Sequence, residues 1–299
     1  MKKYKMGENA AHIICMICAS ITILAIIFIT VYMIMKGTPA FQSVGVADLF
    51  FGTVWKPTAA EPKFGILFVI LSSIVATFAS LLIGVPIGIL TAVFLSEIAS
   101  KKLSSIVSSA VELLAAIPSV IYGLVGMMIL NPFLYRIEKV IFENDPDHIF
   151  TGGSNVLAAI IVLAIMILPT VISVSATSLK AVNDKLRSAS LALGATKIQT
   201  IFKVVIPAAK SGILTAVVLG VGRAIGEAMA VNMVAGGSVN LPLPFNSVRL
   251  LTTQLVSEMS YSEGLHRQVL FTVGLVLYGF ILIINFILLK IRKKEVKDE

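Results

Sequence analysis

Residues 220–231 read GVGRAIGEAMAV and place Arg223 and Glu227 one helical turn apart inside an apolar run. A charge at the centre of a membrane helix costs at least about 2.5–3.5 kcal/mol on insertion scales, so such residues mark a substrate or ion path more often than they serve packing. At i and i+4 of a continuous helix the two side chains lie on nearly the same face and partly neutralise each other. A buried ion pair tying helices together is the plainer reading. Two arguments stand against it: desolvation leaves such pairs little net stability, and arginine before glutamate is the weaker order along a helix. A guanidinium presents a planar fork that matches phosphate oxygens. Gly222 and Gly226 flank the arginine as G-x-x-x-G, which lets a helix or an anion approach the backbone. Glu227 suits an anion path only if the anion carries a proton. Phosphate near neutral pH does, and can donate it to a carboxylate, whereas sulfate has none and meets repulsion. The pattern assigns Arg223 to attraction and Glu227 to discrimination.

The elements that must hold this pair are membrane helices. Of the 299 residues 57% are hydrophobic and 13% charged, with a mean hydropathy of +0.97. A soluble domain carries about 25% charged residues, so the solvent for most of this surface is lipid. Six apolar runs are long enough to span, at 11–35, 65–96, 106–134, 155–178, 208–235 and 268–290, and Pro86, Pro118 and Pro169 inside three of them are kink positions. The net charge of +8 comes from short basic blocks between runs, a juxtamembrane pattern and not the single basic face of a nucleic-acid binder. With the N-terminus in the cytoplasm, sixteen of the 24 Lys and Arg residues fall on that side, so both termini are assigned there. Arg223 then stands about 20 Å up the fifth span, near mid-membrane.

The remaining chemistry is sparse. Cys15 and Cys18 form a C-x-x-C inside the first run, without a redox fold around it. His12, His148 and His266 show no metal-ligand spacing, and neither a metal nor a cofactor is expected. The run from His12 to Met35 is too long for a signal h-region and reads as a first span. No Gly-Lys dipeptide occurs, which rules out a P-loop. No His/Asp/Cys constellation supports an enzyme. Residues 1–299 read as one domain. Segment 37–65 reads as an outer loop with Trp55 as an interfacial aromatic, and 236–267 as an outer loop with a short amphipathic or re-entrant helix. Glu97, beside Lys101, reads as a solvated helix terminus, and Glu112 as snorkelling or capping.

Between the fourth and fifth runs lies NDKLRSASLALGATKIQTIFKVVIPAAKSG (183–212), with five bases against one acid. Asn183 or Asp184 caps a helix there, and Gly194 permits a turn or a close approach. Ile198, Ile201, Phe202 and Val205 form an apolar stripe with basic flanks, and Pro207 marks the next helix start. Such a segment suits either the anionic inner leaflet or a partner protein. Ala189, Ser190 and Gly194, in the order Ala–Ser–x–x–x–Gly, with Pro207 thirteen residues past the glycine, resemble the EAA loop of ABC importer permeases. That resemblance implies that 183–207 is a cytoplasmic loop inserting into a cleft of an ATPase subunit. Ser188 stands where that family has glutamate, Val204 where it has isoleucine and Ile206 where it has leucine.

The family narrows with three further stretches: GRAIGEAMAV (222–231), ELLAAIPSVIYGLVG (112–126), and FFGTVWKP followed by FGIL (50–57 and 64–67). They resemble the phosphate-specific ABC importer permeases, the third pointing to the PstC-type subunit. The resemblance implies an all-α polytopic fold of about six transmembrane helices with a MetI-like core in the cell membrane. It implies four kinds of partner: a homologous permease forming a heterodimer, a cytoplasmic ATPase dimer, an extracytoplasmic phosphate-binding protein and membrane lipid. It assigns Arg223 and Glu227 to phosphate translocation, and Ser188, Ala189, Ser190, Gly194 and Pro207 to ATPase coupling. Three alternatives remain: a permease for sulfate, molybdate or tungstate; an anion channel independent of ATP, which would not need 183–212; and a membrane enzyme acting on a phosphate ester.

Overall fold

A computed structural model describes residues 2–297, with side chains over 11–290. The basic side chains of Lys2, Lys3, Lys5, Arg292, Lys293, Lys294 and Lys297, which help to orient the termini, lie outside the described side chains. In chain order the elements are α1 (Lys2–Val44), α2 (Val46–Phe51), β1 (Trp55–Lys56), β2 (Lys63–Phe64), α3 (Leu67–Ile98), α4 (Lys101–Ala116), α5 (Ser119–Ile141) and α6 (Val156–Lys180). They continue with α7 (Asp184–Ala192), α8 (Lys197–Ala208), α9 (Lys210–Gly226), α10 (Met229–Val234), α11 (Leu251–Glu258) and α12 (Gly264–Lys297). Among the described residues α1, α3, α5, α6 and α12 are long and apolar enough to cross a membrane, and α8 with α9, bent by 69°, makes a sixth candidate.

The centre is α6, apolar nearly all round and buried along most of its length, as a helix with no polar face must be. Its neighbour α3 comes close because it offers glycine: a Cβ at Gly84 would stand 2.6 Å from Ile167 Cδ1, and one at Gly88 2.7 Å from Val171 Cγ1. Small residues at such a contact let dispersion replace the hydrophobic drive that lipid does not supply. The other flank of α6 meets α9, where Gly220 faces Val171. By contrast α1 exposes Ile13, Ile17, Leu24, Phe28 and Met35 along its length, and meets α12 near its outer end, where Thr272 Oγ1 donates to Gly37 O at 2.9 Å.

Several sequence expectations change. The run 106–134 is not one span: α4 stops at Ala116, Ile117 turns extended (φ −68°, ψ 127°), and the spanning helix is Ser119–Ile141. Pro118 is the cause, because its ring excludes Ile117 from helical geometry. Pro86 and Pro169 lie inside unbroken helices. Segment 37–65 is only partly loop, since α1 runs on to Val44 and is followed by α2 and a hairpin pairing Trp55 with Phe64 and Lys56 with Lys63. The 236–267 segment carries α11, whose Leu251, Thr252, Thr253, Gln254 and Glu258 are all buried.

Trp55 does more than sit at an interface. Its Nε1 donates to Glu258 at 3.0 and 3.2 Å, and the same carboxylate takes His266 Nε2 at 2.8 Å and the Arg249 guanidinium. Glu258, 4% exposed, thereby ties the hairpin, α11 and α12 together. Glu258→Gln keeps the shape and removes the charge, so it is expected to lower folding stability by about 1.5–3 kcal/mol, read as a reduced midpoint of thermal unfolding in detergent.

Candidate functional site

The helix that carries Arg223 ends before Glu227. α9 closes at Gly226, Glu227 is extended (φ −73°, ψ 125°), and α10 begins at Met229. The two charges therefore do not share one continuous helical face, and among the described residues no ion pair joins them. Each has its own anchor. Arg223 Nη1 donates to Thr170 Oγ1 on α6 at 3.1 Å. Glu227 Oε1 accepts the backbone N–H of Ala230 at 3.0 Å, capping α10. The carbonyl freed by the break accepts from Thr252 Oγ1 on α11 at 2.8 Å. Non-helical backbone at membrane depth persists only where neighbours satisfy it in this way.

Both side chains remain partly exposed. A Cβ added at Gly222 or Gly226 would meet nothing within 4 Å, and neighbouring Leu219 and Met229 are half exposed. The G-x-x-x-G face is thus unfilled by the described residues. Arg223 has one described side-chain partner, and Glu227 Oε2 has none. An arginine fork offers donors to an oxyanion, and a carboxylate oxygen without a partner among the described residues can accept a proton that such an anion carries.

A second break faces the first. Tyr122 Oη donates to Leu114 O across the α4–α5 interruption at 2.7 Å. Below it, Gly123 lets α10 come so near that a Cβ there would stand 2.9 Å from Ala230 Cα. Thr170 and Thr252 are the members that sequence reasoning missed. Their one signal was a hydroxyl in apolar surroundings, and neither lies near its partner in sequence.

On the cytoplasmic side α7 and α8 form a hairpin. Asn183, not Asp184, caps α7, accepting from Lys185 N at 2.9 Å. Gly194 takes φ +87° with nothing near its Cβ, so it serves a turn and not a close approach. Thr196 and Gln199 form a capping box for α8, and Ser190 Oγ lies 2.9 Å from Thr200 Oγ1, clasping the two helices. Ser188 and Ala189 are exposed. Pro207 sits in the last turns of α8 and does not open the next helix, which starts at Lys210 after the bend at Ala209. The expected apolar stripe divides: Ile201 and Val205 are buried against Ala92, Val93 and Leu179, while Ile198 (68%) and Phe202 (53%) are exposed, as is Leu193 (89%) in the preceding turn.

Glu97 is not a solvated terminus. Its side chain is 9% exposed and pairs with Arg187, Nη2 to Oε1 at 2.7 Å and Nε to Oε2 at 3.3 Å. The hydrogen bond that Arg187 donates to Glu97, ahead of the other influences, raises the Arg187 pKa above its ordinary value, so the guanidinium stays charged. Glu112 is exposed on α4.

Comparison with known proteins fits this architecture. Residues 84–297 match the family model of the binding-protein-dependent transport system inner membrane component. The probable ABC transporter permease protein YqgH of Bacillus subtilis is 39% identical, over 95% of this chain and 91% of the relative. The phosphate transport system permease protein PstC of Pasteurella multocida is 32% identical, over 86% of this chain and 83% of the relative. Among solved structures, a chain of a bacterial alginate ABC transporter superposes with a TM-score of 0.61 at 19% identity, covering 91% of this chain and 92% of that one. A chain of the inward-facing MetNI methionine ABC transporter superposes with a TM-score of 0.53 at 25% identity, covering 77% of this chain and 94% of that one.

Proposed function

The chain belongs to the family of binding-protein-dependent transport system inner membrane components, and from that premise we propose that it carries inorganic phosphate. It is a permease subunit of an ABC importer, a multi-pass protein of the cell membrane and not an enzyme, with ATP hydrolysis residing in a separate subunit. The observation that carries the phosphate reading is that the break between α9 and α10 is flanked by the Arg223 fork and by a Glu227 carboxylate oxygen with no hydrogen-bond partner among the described residues. Phosphate offers oxygens to the first and a proton to the second. Relatives named as PstC phosphate permeases support the same substrate.

Residues 1–299 act as one permease domain. The open face at Gly222 and Gly226 suits a homologous permease completing the path, as a heterodimer. The hairpin 183–207, with Ser188, Ala189, Ser190, Gly194 and Pro207, supplies the contact to an ATPase dimer, and exposed Leu193, Ile198 and Phe202 give that contact its apolar area. An extracytoplasmic phosphate-binding protein delivers the substrate. ATP binding and hydrolysis move the hairpin, and the spans rock to open the site to one side and then the other.

The test is uptake of labelled phosphate into proteoliposomes holding the assembled complex and ATP, with sulfate and molybdate in parallel. Phosphate uptake that needs ATP and exceeds sulfate uptake is the expected result. An intact, ATP-hydrolysing complex that carries sulfate or molybdate but no phosphate would replace the substrate. Flux that persists without ATP would make the protein a channel.

A further inference from the structure

We propose that Arg187 is a positioning residue that locks the α7–α8 hairpin to the inner ends of α3 and α6, so that movement of the hairpin becomes movement of the helices holding the Arg223 site. The inference rests on the reading of 183–207 as the ATPase contact.

One guanidinium joins three elements. Nη2 donates to Glu97 Oε1 at 2.7 Å and to Leu179 O at 2.9 Å. Nη1 donates to Val182 O at 2.5 Å and to Asp184 Oδ1 at 3.0 Å, and Nε to Glu97 Oε2 at 3.3 Å. Leu179 lies in the last turn of α6, where carbonyls have no partner within the helix. Glu97 lies in the last turn of α3, which is wound wide and closed by an i→i+5 bond from Ala99 N to Phe94 O at 2.8 Å. Such π turns break the regular ladder and are frequent at functional sites. Here it coincides with the carboxylate that receives Arg187.

The route onward is continuous. Thr170, the partner of Arg223, stands on α6 ten residues above Lys180, about 15 Å along the helix axis. α3 is held against the same stretch of α6 at Gly84 and Gly88. A push or pull at the hairpin thus enters two mutually packed helices through the Arg187 guanidinium, beside the apolar packing of Ile201 and Val205 against Ala92, Val93 and Leu179. The neighbouring position carries Ser188 and no acid, so at this point of the hairpin the ionic contact is internal, from Arg187 to Glu97. Lysine cannot replace the arginine, because a point charge cannot serve a carboxylate fork and two carbonyls at once.

The experiment compares wild type with Arg187→Gln, Glu97→Gln, the double variant and Arg187→Lys in assembled complexes in proteoliposomes, reading substrate carried per ATP hydrolysed. Each single glutamine variant is expected to lower that ratio about tenfold. The double variant should be no worse than either single, the mark of two groups acting as one unit. Arg187→Lys retains the charge and keeps the test open if glutamine prevents folding; its ratio is also expected to fall. A wild-type ratio in Arg187→Lys and Glu97→Gln, or transport and hydrolysis falling in proportion, overturns the lock. Ala189→Arg is the control for the underlying reading and should release the ATPase. An ATPase that stays bound and fully stimulated there removes the hairpin assignment, and the lock with it. Release in that variant with a normal ratio in Arg187→Lys removes the lock alone.

Discussion

Arg223→Ala is expected to bring ATP-driven phosphate uptake down by about 100-fold or more, the scale seen when a preorganised donor for an oxyanion is removed. The assembled complex should still hydrolyse ATP. Without the guanidinium the site keeps a carboxylate and a threonine hydroxyl, Glu227 and Thr170, and an anion entering it meets like charge with nothing to offset it. The same substitution removes a membrane-embedded cation whose insertion costs at least about 2.5–3.5 kcal/mol. It should therefore not reduce the amount of folded protein, and that separates a lost site from a lost fold. Thr170 Oγ1 also loses its donor, but a hydroxyl can turn to a carbonyl of its own helix. Arg223→Lys should recover only part of the rate, because the ammonium keeps the charge and loses the fork. Full uptake in Arg223→Ala, at equal complex assembly, would reduce the arginine to a packing partner of α6.

The spans were legible because one rule governs them: lipid demands about 20 apolar residues in a row, and these runs occur where α1, α3, α6 and α12 stand. What was not legible were the interruptions. Pro118 was visible, yet whether a proline kinks a helix or ends it depends on what satisfies the freed carbonyls, and Tyr122 does so for Leu114. The break at Glu227 had a weaker signal still. Ala228, Met229 and Ala230 are good helix formers, and the helix is lost because the Glu227 carboxylate and Thr252, 25 residues away, take over its hydrogen bonds. The Arg187–Glu97 pair spans 90 residues, so a charge at the end of an apolar run looked solvated. For Glu227 and Arg187 the missing information was a partner distant in sequence, and at Pro118 it was a side chain eight residues from the carbonyl it satisfies. Arg223 and Glu227 stand out in the sequence as candidates because charge in an apolar run is costly wherever it falls. Their geometry was not, since an i,i+4 spacing implies a shared face only if the helix continues.

That geometry sharpens the expectation for Glu227→Gln. The amide keeps an oxygen that can accept from Ala230 N, so the cap of α10 and the break should persist. What changes is the other end of the side chain: an acceptor with negative charge becomes a neutral donor. Phosphate loses the group that takes its proton, while sulfate gains a hydrogen bond and loses a repulsion. Both effects move the preference in the same direction. A site built to pair with a substrate hydroxyl rejects an analogue lacking it by about 10⁴-fold or more, so the variant should lose at least about 100-fold of its phosphate-over-sulfate ratio, measured as competing uptake into the same proteoliposomes. An unchanged ratio in Glu227→Gln would assign discrimination elsewhere, with the substrate-binding partner the next place to look. The carboxylate would then be left with the one role its contacts already define, the cap on the helix that follows the break.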